Sequence, residues 1–135
     1  MELALIQLGA LASPLFLILL EKALPYPYVI EEIVKLFFVT LILGQEKIKK
    51  QSLLWYVVLW GGLFAVSETL FYLSNILMLQ TYGVFFMRLV YTGILHVATV
   101  VIIYLFSKKI QNGWMLGFTL AMIIHFLYNL LVLSL

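Results

Sequence analysis

The chain has 135 residues, 65% of them hydrophobic and 10% charged, with a mean hydropathy of +1.15. Soluble domains carry roughly 25% charged and 45–50% apolar residues, so a water-soluble fold of this size could not cover so much apolar surface; the bilayer must be the solvent. Seven lysines and one arginine oppose six glutamates, an excess too small for nucleic-acid binding, and the lack of cysteine excludes both a disulfide framework and a thiolate metal site.

A membrane helix needs about 20 mostly apolar residues to cross a hydrocarbon core of about 30 Å. Five such stretches occur, which predicts an all-α polytopic bundle forming a single transmembrane domain over residues 1–135. The first span covers 3–20. Glu2 is the sole charge before Glu21, no basic leader precedes the stretch and no clear small-residue cleavage site follows it, so it reads as a retained span. Pro25 and Pro27 then break the helix, because proline cannot continue one and pushes its predecessor towards extended backbone. The second span covers 26–43 and is followed by a polar loop at 44–52. The third covers 53–77, a short turn leads to the fourth at 84–106, and a polar loop at 107–113 leads to the fifth at 114–133.

Lysines set the expected orientation. Lys47, Lys49 and Lys50 lie between spans two and three, and Lys108 and Lys109 between spans four and five. Both loops fall on one face of a five-span bundle, which the positive-inside rule makes cytoplasmic. The N-terminus is then inside and the C-terminus outside. Trp55 and Trp114 sit just beyond these loops, where interfacial aromatic residues belong.

Ionisable groups inside a membrane are costly, by about 2.5–3.5 kcal/mol on insertion scales, and mark functional positions by default. Here they are Glu31, Glu32 and Lys35 on span two, Glu68 on span three, Arg88 and His96 on span four and His125 on span five, with Asn129 as an uncharged polar companion. Glu32, Glu68, His96 and His125 each fall within about one helical turn of their span's midpoint, which predicts one polar layer. Glu31 and Lys35 are four apart and are expected to pair; His125 and Asn129 are also four apart and point the same way. Glu68 shares its stripe with Gly61, Ala65 and Tyr72, and His96 with Thr92, Gly93 and Thr99. Small residues at such places, and the Gly61-Gly62 pair, let helices approach closely.

Glu31-Glu32-Ile33-Val34-Lys35 resembles the double-glutamate motif of the PrsW-type intramembrane proteases. The stretch from Gly62 to Tyr72, with Phe64 and Glu68, is similar to their second motif, although Thr69 stands where the family commonly carries asparagine. Arg88 followed by Leu95-His96 looks like the third motif, and His125 to Asn129 like the closing one. The resemblance covers residues 31 to 129 in the family's order. The wider superfamily includes the CAAX-prenyl endopeptidases and bacteriocin-processing proteins; Glu68 within its aromatic motif favours the PrsW side.

The resemblance implies an intramembrane endopeptidase whose substrate is a membrane-anchored or membrane-associated protein or peptide. It implies that Glu31 or Glu32, with His96, activates water, and that His125 and Asn129 stabilise the oxyanion. A zinc reading competes: His96, His125 and Glu32 would supply three ligands and leave one position for water, although the single-helix HExxH pair is missing. Blander roles stand beside these. Glu31 with Lys35 is a structural ion pair in one of them, Glu68 a partner that orients a histidine, and Arg88 a side chain reaching for the interface. A CAAX-type prenyl endopeptidase and a proton- or ion-coupled transporter are the rival functions. The transporter would call for internal repeats, and the sequence contains none.

Overall fold

A computed structural model describes residues 3–21, 23–45, 52–78 and 82–133. The side chains of residues 21, 72, 74–78, 82, 84, 85, 88, 132 and 133 are outside that description, so the expectations attached to Arg88, to Tyr72 and to the loop lysines 47, 49 and 50 lie outside the described residues. The described residues form five helices: α1 (Leu3–Glu21), α2 (Pro27–Leu43), α3 (Leu53–Met78), α4 (Tyr82–Lys109) and α5 (Gly113–Leu133). They contain no strand. The all-α bundle expected from hydropathy is what the chain forms.

Four of the five, α1, α3, α4 and α5, are long and apolar enough by themselves to cross a membrane. The exception is α2, with 17 residues and three charges, Glu31, Glu32 and Lys35. Its surroundings explain why the charges are tolerated. In the described residues α1 packs on α3, α3 on α4 and α4 on α5, making a row of four helices, and α2 packs against every member of that row. The charged face of α2 is thereby covered by protein, while Ile33 and Phe37 on its other side stay exposed.

Local chemistry sets the helix ends. Pro27 opens α2 at a position where its missing N–H costs nothing, and α2 closes as the Gly44 N–H bonds the Thr40 carbonyl at 3.0 Å. Between α4 and α5 the chain reverses in three residues, with Asn112 in left-handed backbone at φ 56°, a conformation asparagine tolerates better than most. A Cβ at Gly113 would run into the Phe106 carbonyl, so only glycine fits where α5 leaves that turn.

The interior is stratified along the bundle axis. Val39 and Ile42 of α2, Val57 and Trp60 of α3, Val100, Ile103 and Tyr104 of α4 and Ala121 of α5 make an apolar core towards the end that carries Lys108 and Lys109. Beyond it polar residues join the buried set: Glu31, Glu32 and Lys35 on α2, Ser67 and Thr69 on α3, Thr92, His96 and Thr99 on α4, and His125 on α5, with Phe64, Ala65 and Leu95 among them. A packed apolar plug therefore separates this polar level from the lysine-bearing end.

Candidate active site

Four helices deliver the polar level to one depth. Counted at about 1.5 Å per residue from the lysine-bearing helix ends, Glu32, Glu68, His96 and His125 all lie about 16–23 Å along their helices. Close packing of α3 on α4 sets the register of His96. A Cβ built on Gly61 would come within 2.7 Å of Val100, 3.0 Å of the Val97 Cα and 3.1 Å of the His96 carbonyl, so α3 lies almost on the α4 backbone there. Gly62 and Gly93 face open space instead.

Rings then pass orientation from the core into the site. Phe38 meets Trp60 at 4.9 Å between centroids, Trp60 meets Phe64 at 5.3 Å, and Phe64 meets His96 at 4.8 Å. His96 stands edge-on to His125 at 5.6 Å and 85°, and Tyr28 covers the far side of His125 at 5.9 Å. Such offset and edge contacts restrain ring rotation. The two imidazoles are thus held at a right angle inside an aromatic stack.

The carboxylates divide between them. Glu32 is fully buried, and its Oε1 accepts from Lys35 Nζ at 2.5 Å and from His125 Nδ1 at 2.7 Å. An oxygen already bonded to an ammonium remains an acceptor, so His125 Nδ1 donates to it, and the ring's other nitrogen is Nε2. That Nε2 lies 3.8 Å from Glu31 Oε2. On the other side, His96 Nε2 and Glu68 Oε2 are hydrogen-bonded at 2.5 Å. The expected pairing of Lys35 with Glu31 is corrected: Lys35 pairs with Glu32, three residues away, because Thr99 on α4 and His125 on α5 hold the ammonium and the carboxylate together from outside the helix. Asn129, half-buried one turn beyond His125, hydrogen-bonds to none of the described residues. Its neighbour Tyr128 shares a hydrogen bond of 3.2 Å with Thr92, tying α5 to α4 beside it.

The donor chemistry fits a divalent cation. One ligand atom each from Glu31, Glu68 and His96 lie within 4.8 Å of one another, an oxygen and imidazole set that suits zinc. This trio differs from the expected Glu32, His96 and His125, since Glu32 is already committed to Lys35 and His125. Glu31 and Glu68 are also the most exposed members of the cluster, with side chains 10% and 17% exposed against 5% for His125, 1% for His96 and 0% for Glu32. Thr69 is buried with its hydroxyl unbonded, and Thr99, on the His96 stripe, bonds Lys35, a contact that spacing along one helix does not mark. Only the packing of one helix on another brings Thr99 to Lys35.

Comparison with protein families matches residues 23–135 to the family described as PrsW family intramembrane metalloprotease. The match begins just ahead of α2 and takes in every residue of the polar level. Comparisons with curated proteins and with solved structures give no match.

Proposed function

Because the chain belongs to the PrsW family of intramembrane metalloproteases, we propose that it hydrolyses a peptide bond of a membrane-anchored protein or peptide at the cluster of Glu31, Glu68, His96 and His125. The observation that carries this reading is the convergence of two carboxylates and an imidazole within 4.8 Å beside a second imidazole anchored through Nδ1 to Glu32. Glu31, Glu68 and His96 would hold the metal, with zinc the ion whose preferences the set matches. Bound there, it would supply Lewis acidity towards the scissile carbonyl and make a water more acidic.

The protein's own groups do the rest. His125 Nε2 would take a proton from water and later return it to the leaving amine, the work of a general base and acid within hydrogen-bond reach. Glu32 holds the opposite nitrogen of that ring and stabilises the imidazolium that forms. Asn129, one turn along α5, has an amide to donate to the developing oxyanion. Close helix packing below the site keeps bulk water out from the lysine-bearing side. That side faces the cytoplasm by the positive-inside rule, with the N-terminus inside and the C-terminus outside.

The test is cleavage of a membrane-anchored reporter peptide by purified protein in detergent, together with elemental analysis. About one zinc per chain is expected, with activity lost on chelation and regained on adding zinc back. Full activity in rigorously metal-free protein contradicts the metal assignment.

A further inference from the structure

Lys35 has no part in the hydrolysis outlined above, yet it is fully buried and its ammonium is tied on two sides. Nζ donates to Glu32 Oε1 at 2.5 Å and to Thr99 Oγ1 at 2.9 Å, and it lies 5.8 Å from the centroid of the Phe64 ring. The Thr99 hydroxyl donates to the His96 carbonyl at 3.3 Å, which leaves its lone pairs for the ammonium. Glu32 Oε1 also receives the His125 Nδ1–H at 2.7 Å. A continuous set of contacts thus runs from Thr99 on α4 through Lys35 and Glu32 on α2 to His125 on α5. At its end the imidazole presents Nε2 to Glu31 at 3.8 Å.

We propose that Lys35, steered by Thr99, is a positioning residue that fixes which nitrogen of His125 carries the proton. A neutral imidazole has two tautomers, and the bond made by one nitrogen decides which is present. Lys35 pins Glu32 Oε1 as an acceptor directed at Nδ1, so Nδ1 carries the hydrogen and Nε2 is left as the lone pair that faces Glu31. Take away the ammonium and Oε1 loses the partner that sets its direction. The carboxyl group is then free to rotate and the imidazole to exchange tautomers. The effect on turnover rests on the peptidase reading; the tautomer does not.

The chain holds two histidines, so His96→Asn leaves His125 as the sole imidazole in a nitrogen-15 spectrum. In that background, metal-free and in detergent, His125 is expected as the Nδ1–H tautomer. Adding Lys35→Met, which keeps the apolar stem and drops the ammonium, moves the signal towards Nε2–H or into exchange between the two. Thr99→Val moves it in the same direction, and Thr99→Ser, which retains the hydroxyl, returns it. In the otherwise native chain, kcat for a membrane-anchored peptide falls about 10–100-fold in Lys35→Met and Thr99→Val, as for partners that orient a site residue, while KM stays put. An unchanged His125 signal with unchanged kcat in both variants overturns the proposal, and so does a rise in KM alone. Should Lys35→Met not fold, Thr99→Val carries both readouts. A wild-type chain without peptidase activity would defeat the functional reading, and the spectrum would still decide the role of Lys35.

Discussion

Glu31 and Glu32 are adjacent in the chain, yet about 100° of helical turn sends their carboxylates to different partners. Glu32 turns to Lys35 and His125 Nδ1, and Glu31 approaches His125 Nε2 at 3.8 Å and the Glu68–His96 pair. Helical spacing could not have separated these roles, because residues three and four apart are both neighbours of Lys35 on the helix surface. Thr99 and His125, more than sixty residues away, make the choice. The buried pair has a consequence for stability. Glu32→Gln strands an ammonium in the interior, and breaking a buried pair from one side costs about 3–5 kcal/mol. The melting temperature in detergent should fall sharply in Glu32→Gln and recover in the double variant Glu32→Gln, Lys35→Met, which removes both charges. A double variant melting lower than either single variant is the opposite of what this pairing requires.

Helix α2 shows what hydropathy can and cannot reveal. Its presence is legible from the prolines before it and the glycine after it, but its place against all four other helices is not. In lipid an outward face is as apolar as a packed one, so no amphipathic stripe tells which side meets which neighbour. The same ambiguity covers Gly61 and Gly62, which look alike in the sequence. Only Gly61 meets α4, where Val97, Val100 and the His96 carbonyl leave no room for a methyl group. Gly61→Ala should therefore push α3 from α4 at the level of His96, costing about 1–3 kcal/mol as overpacking does, and reduce activity per folded molecule. Gly62→Ala, pointing into open space, should leave both unchanged. Equal effects of the two substitutions, measured by melting and by reporter cleavage, would rule out the close α3–α4 approach as the source.

At the scale of the molecule, the row α1–α3–α4–α5 with α2 laid against it gives an apolar half and a polar half. The polar residues were legible as costly intramembrane groups on four spans. Their grouping into a Lys35–Glu32–His125 set and a Glu31–Glu68–His96 set was not, because it depends on how the helices rotate about their axes. The orientation that goes with this stratification is open to labelling. A cysteine replacing Lys109 should react with a membrane-impermeant reagent from the cytoplasmic side alone, as should one replacing Lys47; labelling of the two from opposite sides is incompatible with five spans.

Side chains from four helices are proposed to serve one peptide bond, and the activity of combined variants tests whether they form a single site. Groups that act together in catalysis are strongly non-additive, so that losing one costs nearly as much as losing several. Specific activity per folded molecule, measured on a membrane-anchored peptide, should collapse in each of Glu32→Gln, His96→Ala and His125→Ala, with the double variants little worse than the singles. Near-wild-type specific activity in both His96→Ala and His125→Ala is incompatible with a shared catalytic site at these residues.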